Sequence, residues 1–147
     1  MSDPILRPAR QDDVPALIRI CLDARTSADI PNLHTDAENR WFFGKLVETK
    51  KVMVAERAGK PVGFAVVHDG WLEHLWIDPP HHRRGIGSKL LAWARAEAPG
   101  DLRLYVFAHN ARAIAFYKAQ GAVQIAATDG DGNEEKLPDV TLMIARA

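Results

Sequence analysis

The sequence lacks the features that mark secreted and membrane-spanning proteins. Its only cysteine is Cys21, so the chain cannot form an internal disulfide and nothing points to an oxidising compartment. No apolar run approaches the roughly 20 residues that a bilayer-spanning helix needs, and the first ten residues contain no apolar stretch of the kind that signal peptides carry. We therefore expect a cytoplasmic protein without membrane association, in which Cys21 is a small core residue.

The chain also lacks an excess of charge of either sign. It has 19 basic and 19 acidic residues among 147, and its formal net charge is zero. This balance gives no support to broad binding of nucleic acids or anionic membranes. A chain of this length can bury one hydrophobic core, so we expect a single domain over residues 1–147.

Apolar spacing and turn residues divide the chain into eleven predicted elements. An apolar stripe from Val14 to Leu22 recurs at helical spacing and predicts the first helix. Residues 61–68 are rich in β-forming side chains, and a strand over residues 71–78 is stopped by Pro79. The predicted order is strand, two helices, three strands, helix, strand, helix and two strands. This order indicates an α/β protein with a mixed sheet flanked by helices.

A glycine-containing loop follows the strand over residues 71–78 and leads into a helix. A helix N-terminus presents unpaired N–H groups and a partial positive charge, and Gly85 and Gly87 would let a phosphate approach the backbone closely. Two arginines and a hydroxyl add charge and a further donor: Arg83, Arg84 and Ser88. Together these residues predict a cradle for a pyrophosphate.

Other phosphate-binding motifs fit this loop poorly. A Walker loop has the pattern Gly, four residues of any kind, and then Gly-Lys-Ser or Gly-Lys-Thr, which this loop does not provide. The dinucleotide fingerprint Gly-x-Gly-x-x-Gly is matched at Gly85 and Gly87, but residue 90 is Leu. A nucleotide-binding interaction domain is therefore a weaker alternative.

Two spaced motifs resemble those of the GCN5-related N-acetyltransferases. Residues 75–79 followed by residues 82–91 look like the family's cofactor motif, usually [Gln/Arg]-x-x-Gly-x-[Gly/Ala], with His82 where Gln or Arg is usual. Residues 110–121 resemble the family's Asn-x-x-Ala-x-x-x-Tyr-x-x-x-Gly-Phe, with Ala122 in place of Phe. The order of predicted elements over the whole chain also agrees with the family.

The resemblance implies the acyl-CoA acyltransferase fold, a central, mostly antiparallel mixed sheet flanked by four helices. It implies transfer of an acetyl group from acetyl-CoA to a primary amine of a small molecule or protein, by direct attack in a ternary complex. Many members form dimers, so a homodimer stays open. The expected cofactor-binding residues are Leu75, Trp76, Ile77, His82, Arg83, Arg84, Gly85, Ile86, Gly87, Ser88, Asn110 and Tyr117.

The resemblance also implies chemical roles. Tyr117 would give a proton to the departing thiolate, and the backbone of residues 75–77 would pair with the pantetheine arm and hold the thioester oxygen. The base is Glu73 or His74, which strand alternation places on opposite faces, so only one can point into the site. Glu73 is the first choice because a carboxylate also attracts a cationic amine, whereas His74 has a suitable ordinary pKa. A surface ion pair is the structural alternative for Glu73.

Three further interpretations stay open or are disfavoured. A non-catalytic acyl-CoA sensor on the same fold would not need Tyr117. Metal binding at His81 and His82 is disfavoured, since adjacent residues rarely ligate one ion and no Cys companion is near. Glu134 and Glu135 are expected to border the acceptor pocket, where acidic side chains would suit an amine.

Overall fold

Eleven elements occur in the order that the sequence predicts. The computed structural model describes residues 3–82 and 84–146, and within them the strands are β1 (Ile5–Pro8), β2 (Lys51–Arg57), β3 (Lys60–His68), β4 (Trp71–Ile77), β5 (Leu102–Phe107), β6 (Val123–Thr128) and β7 (Asp139–Ile144). The helices are α1 (Val14–Ser27), α2 (Asp36–Thr49), α3 (Ile86–Glu97) and α4 (Ala111–Ala119), with short 3-10 turns at Gln11–Asp13 and Pro79–His81.

Local backbone and side-chain groups set the end of α1 and the start of α2. α1 extends to Ser27, and the left-handed backbone of Asp29 (φ 57°) then turns the chain. Thr35 begins α2 through a capping box, in which its hydroxyl accepts from the backbone N–H of Glu38 and the Glu38 carboxylate accepts from the backbone N–H of Thr35. The end of α1 and the start of α2 are therefore fixed locally, and both helices pack on the same face of the sheet.

All seven strands form one sheet in the order β1-β2-β3-β4-β5-β7-β6. Neighbouring strands are antiparallel except β4 and β5, which are parallel. The β4–β5 ladder contains a single residue pair, Trp71 with Arg103, and the two strands diverge beyond it. This divergence opens the middle of the sheet.

The helices cover the two faces of the sheet with separate hydrophobic cores. α1 and α2 bury Leu17, Ile20 and Phe43 against Phe64 and Val66. On the other face, α3 packs its buried stripe of Ile86, Leu90, Leu91 and Ala94 against strand residues that include Leu102, Leu104 and Leu142. Burial of each such side chain contributes about 1.5–3 kcal/mol, so both helix layers are held to the open sheet by packing.

Candidate active site

A cavity of about 590 Å³ lies where β4 and β5 diverge. Its walls come from residues 72–76 of β4 and 104–107 of β5, and from Asn110 and Tyr117 at α4. The sequence predicted this cleft only through resemblance, because nothing in the residue types of β4 reports how its backbone is paired.

The backbone of β4 divides its hydrogen-bonding groups between β3 and this cleft. The N–H of Asp78 donates to the carbonyl of Val62 across 2.8 Å, so Asp78 is directed towards β3. Because direction alternates along a strand, the groups of Trp76 also serve the β3 ladder, whereas those of Leu75 and Ile77 point to the side where β5 has diverged. Two of the three residues predicted to meet pantetheine therefore present backbone groups to the cleft.

A β-bulge at Glu73 changes how β4 presents its side chains. Val66 pairs with His74 and Val67 with Leu72, which leaves Glu73 as an extra residue in β4. A bulge re-aims side chains at its position, and both Glu73 and His74 line the cleft. The expectation that only one of them could reach the site assumed an unbroken ladder, which this bulge interrupts.

The imidazole of His74 is fixed in one neutral form. The indole N–H of Trp76 donates to its Nδ1 across 3.0 Å, and since an indole can only donate, the proton of the neutral ring is on Nε2. The ring lies within about 6 Å, centroid to centroid, of the rings of Phe42 and Phe43. Burial and then the charges of Arg25 and Lys50 lower the pKa of His74 to about 4.

The other candidate base, Glu73, takes part in an ion pair. Its carboxylate lies 2.6 Å from Nζ of Lys50, the residue that follows α2, and both side chains are partly exposed. The surface ion pair considered from the sequence is therefore present. It does not exclude a chemical role, because Glu73 lines the cleft at the same time.

Tyr117 and Asn110 reach the cleft from α4. Tyr117 is buried, and burial raises the pKa of its hydroxyl well above the usual value, so the phenol stays protonated at neutral pH. Within residues 3–82 and 84–146 this hydroxyl has no hydrogen-bond partner in the protein. Asn110 is the predicted N-cap, since its side chain accepts from the N–H of Ala113 across 3.3 Å.

The glycine loop positions the N-terminus of α3. Gly85 has a left-handed backbone (φ 79°) with open space where a side chain would project, which fits close approach of a ligand to the backbone. A Cβ at Gly87 would lie 3.3 Å from the ring of Phe116. The explanation given for Gly87 is therefore incomplete: its missing side chain also lets α3 and α4 pack closely.

Other predicted loop residues take part in contacts between elements. Ser88 is exposed, and its hydroxyl accepts from the side-chain amide of Gln120 across 3.2 Å. The ring of His82 lies between Arg112, 2.8 Å from its Nδ1, and the carbonyl of Ile77, 3.1 Å from its Nε2. His82 thus connects the end of β4 to α4. Arg83 lies outside the described residues, and the exposed Arg84 begins the turn into α3.

A second cavity, of about 650 Å³, lies between α1, α2 and the β6–β7 loop. Two contacts join that loop to the helical side: Arg25 lies 2.7 Å from Glu135, and His34 lies 2.8 Å from Glu134. His74, Arg25 and Glu135 line both cavities. Glu134 and Glu135, the two glutamates expected at the acceptor pocket, both line this second cavity, and each is bound to a cationic or titratable partner.

Some contacts of the site were missed from the sequence although a signal for them existed. Trp76 was expected to bind the cofactor, but its contact with His74 was not predicted, although the two residues are two positions apart and therefore on the same strand face. Arg25 lies three and four residues after Leu22 and Cys21, on the same helix face, and both of those residues line the second cavity. Lys50 could not have been found, because its contact with Glu73 joins residues 23 positions apart.

The surroundings of the site limit other chemistry. Cys21 is buried, and burial raises the pKa of its thiol to about 12, so it is a core residue rather than a nucleophile. Among residues 3–82 and 84–146 no cluster of three His, Cys, Asp or Glu side chains could hold a metal ion. In the same part of the chain no helix has both the length and the apolar character needed to cross a bilayer.

Comparison with known proteins places this geometry in a family. The family model described as Acetyltransferase (GNAT) family matches residues 16–122. A peptidyl-lysine N-acetyltransferase of Escherichia coli, YiaC, is 27% identical, over 80% of this chain and 82% of the relative. An uncharacterized N-acetyltransferase of Methanocaldococcus jannaschii is 26% identical, over 79% of this chain and 59% of its own length. The chain thus spans about three fifths of that archaeal relative.

Solved structures share the whole fold. The structure of yncA from Salmonella typhimurium, determined with its cofactor acetyl-CoA, is similar at a TM-score of 0.77 and 21% identity, and the match covers 99% of this chain and 95% of that chain. At this identity the likeness concerns the fold. The mixed, mostly antiparallel sheet with four helices predicted from the sequence is confirmed.

Proposed function

Because the chain belongs to the acetyltransferase (GNAT) family, as its motifs predicted, we propose that it transfers an acetyl group from acetyl-CoA to a primary amine. The family match over residues 16–122 and the N-acetyltransferase relatives support this activity. A structure of the same fold that contains acetyl-CoA supports acetyl-CoA as the donor. None of these relatives favours the non-catalytic sensor.

The divergence of β4 from β5 after Trp71 is the observation that carries the proposal. It leaves the backbone groups of Leu75 and Ile77 directed to the side where β5 has diverged, and there Leu75 and Tyr117 line the cleft. An extended pantetheine arm can pair with such groups as an added strand does. The pyrophosphate would then meet the N-terminus of α3, where Gly85 leaves the backbone open and the helix dipole favours an anion.

We assign the base to Glu73 rather than to His74. Trp76 occupies Nδ1 of His74 and the proton is on Nε2, so neither nitrogen can accept a proton while that bond is kept. Glu73 is partly exposed at the cleft and can take the amine proton directly or through one water.

The transfer then needs two proton movements, one from the amine nitrogen to Glu73 and one from Tyr117 to the thiolate. The neutral amine attacks the thioester carbonyl, a C–N bond forms, and the C–S bond breaks. Backbone N–H groups of β4 that face the cleft stabilise the thioester oxygen as it gains charge. Tyr117, kept protonated by burial, gives its proton to the leaving thiolate and regains one from solvent.

The acceptor enters from the second cavity, which shares His74 with the cleft. A small-molecule amine and a protein amine both agree with the family. The proposal keeps two finer expectations from the sequence, a cytoplasmic location and a homodimer. The first is supported by a single buried cysteine; the second stays a prediction.

The first test is thermal unfolding with CoA and acetyl-CoA, followed by release of free thiol when amines are added. A ligand that binds only the folded state raises its stability by about 2.7 kcal/mol at a hundredfold excess over the dissociation constant. Ser88→Glu is the sharpest control, because a carboxylate in the first turn of α3 suits the helix dipole but repels a pyrophosphate. Ser88→Gln is its neutral match.

We expect both CoA species to raise the midpoint in the wild type and in Ser88→Gln but not in Ser88→Glu. Position 88 is preferred to Gly87 for this control, because a side chain at position 87 would contact Phe116 and confuse binding with folding. Absence of any shift in the wild type would overturn the proposed donor. A shift without thiol release for any amine would favour the non-catalytic sensor instead.

A further inference from the structure

The mouth of the second cavity carries an unusual amount of exposed apolar surface. Of the seven large hydrophobic side chains that the described residues leave exposed, three surround this cavity: Trp41 at 68% exposure, Leu33 at 50% and Phe42 at 43%. A soluble protein rarely leaves such side chains grouped at a concave site unless a ligand covers them. A fully polar acceptor would leave this surface in water.

The inner wall of the cavity is also apolar and aromatic. Phe42 and Phe43 pack edge to face with centroids 5.3 Å apart, and Phe43 lies 5.9 Å from the ring of His74. Leu22 and the buried Cys21 complete this wall. An aromatic group inserted here would find both faces and edges of rings to pack against.

The acidic groups of the cavity are already engaged. Glu135 is in a partly buried ion pair with Arg25, Glu134 is bound to His34, and Glu38 accepts the capping hydrogen bond from Thr35. A second or third ammonium group of a polycation would enter an apolar space without a vacant partner, which opposes binding.

The cavity leads to the place of reaction. His74 lines both this cavity and the β4–β5 cleft, and Glu73 is its neighbour at the bulge. An amine on a short arm can therefore approach Glu73 while the group that carries it lies against the apolar residues of the second cavity. This continuity makes the apolar surface part of the acceptor path.

We propose that the acceptor is a primary amine joined by a short chain to an aromatic or bulky apolar group, bound by its apolar part against Trp41, Phe42 and Phe43. This inference rests on the proposed acetyl transfer and specifies its substrate class. Polyamines, aminoglycoside-like polycations and lysine side chains of peptides are the alternatives that the test must separate from it.

The experiment compares four acceptors with the full chain at saturating acetyl-CoA: 2-phenylethylamine, n-propylamine, spermidine and a lysine-containing peptide. Thiol release is measured beside the thermal shift with acetyl-CoA. We expect kcat/KM for 2-phenylethylamine to exceed that for each of the others by at least about 10-fold, since apolar burial is the difference between the first two. Trp41→Ala should reduce this preference to about 3-fold or less.

The matched control is Ile125→Ala, which removes an exposed apolar side chain that lines neither cavity. It should keep the full preference, and both variants should keep the acetyl-CoA shift because neither residue lies at the β4–β5 cleft. The readout for Trp41→Ala is a rise in the KM for 2-phenylethylamine with that for n-propylamine unchanged.

The outcomes separate the inference from the proposed function. A thermal shift with acetyl-CoA combined with equal or better turnover of spermidine, the peptide or n-propylamine would overturn the substrate class alone, as would a shift with no turnover of 2-phenylethylamine. A preference that survives Trp41→Ala would overturn its assignment to this cavity. The absence of both thiol release and a thermal shift would overturn the proposed function, and the inference with it.

Discussion

The indole nitrogen of Trp76 donates a hydrogen bond to Nδ1 of His74 across 3.0 Å. The two residues are two positions apart on one face of β4, beside the bulge at Glu73. The bond selects one tautomer of the histidine and stabilises its neutral form over the imidazolium, in which both nitrogens are donors. A residue with the ordinary pKa of a general base is thereby held as a neutral side chain, which supports the proposed assignment of the base to Glu73.

Trp76→Phe should release the histidine from this restraint. The neutral ring loses its acceptor bond, so the pKa of His74 should rise above about 4 towards the ordinary value. Nuclear magnetic resonance titration of the ring nitrogens measures this directly, and in the wild type it should show Nδ1 without a proton. An unchanged pKa in the variant would mean that burial alone keeps His74 neutral.

The same histidine should make stability depend on pH. The unfolded chain binds this proton near pH 6.5, whereas the folded protein binds it only near pH 4, so the folded state loses stability as the pH falls from about 6.5 to about 4 and is unaffected above that window. Between pH 7 and pH 5 this loss is about 2 kcal/mol.

Urea unfolding of the wild type and His74→Asn at both pH values isolates this contribution, because the other titrating groups cancel in the difference. The stability of the wild type relative to the variant should fall by about 2 kcal/mol on going from pH 7 to pH 5. A difference that does not change with pH would show that His74 titrates alike in both states.

Tyr117→Phe should separate chemistry from binding. The ring keeps its contact with Phe116, 5.1 Å away between centroids, but the proton for the thiolate is lost. We expect kcat to fall by about 100-fold with little change in stability or in affinity for CoA. Single-turnover acetyl transfer beside CoA binding measures both, and an unaltered kcat would return Tyr117 to a packing role.

Asp13 should be a strong contributor to stability at the start of α1. Its buried carboxylate accepts two hydrogen bonds from Arg7, each 2.8 Å, and one from the backbone N–H of Arg10 at 2.7 Å. The hydrogen bonds from Arg7 are the main reason that the pKa of Asp13 lies below its ordinary value. Its stabilisation is therefore present above the ordinary pKa and is lost as the pH falls through the lowered one.

Asp13→Asn should reduce the free energy of unfolding by about 2–3 kcal/mol at pH 7. The exposed neighbour Asp12 provides the control, since Asp12→Asn should change stability by no more than about 0.5 kcal/mol. Urea unfolding measures both variants. Equal effects at the two positions would show that the Arg7 contact adds nothing beyond a surface charge.

Two glycines of the β6–β7 loop should respond differently to the same change. Gly130 has a left-handed backbone (φ 87°), and a Cβ there would collide with the backbone of Leu137, whereas nothing lies within 4 Å of a Cβ at Gly132. Gly130→Ala should destabilise the protein by about 2 kcal/mol or more, while Gly132→Ala should be nearly neutral. Thermal unfolding compares them, and similar midpoints would contradict the described loop conformation.

The order of elements could be predicted because local patterns determine it. The stripe from Val14 to Leu22 and the prolines at 79 and 80 act over a few residues, and the elements they predict are present. The caps that Thr35 and Asn110 provide also depend on hydrogen bonds to residues only three positions away. The end of α1 at Ser27 depends on a backbone turn at Asp29 that residue type does not specify.

The candidate site was predicted through two motifs, yet its working geometry was not. Alternation alone placed Glu73 and His74 on opposite faces, but the bulge against Val66 and Val67 interrupts that alternation. A bulge depends on pairing with a partner strand, which the sequence of β4 does not contain. The contact of Gly87 with Phe116 likewise joins two helices that are distant in the chain.

The sequence by itself determined the family, the succession of strands and helices, and the residue types available for donor binding and proton transfer, because each of these depends on neighbouring residues or on a motif of fixed spacing. Only the tertiary structure decided which of them can act. The hydrogen bond from Trp76 selects the neutral tautomer of His74. Lys50 contacts Glu73 from another part of the chain, and Trp41 lines the same cavity as the β6–β7 loop. Protonation and access depend on burial and on distant neighbours, which exist only once the chain has folded.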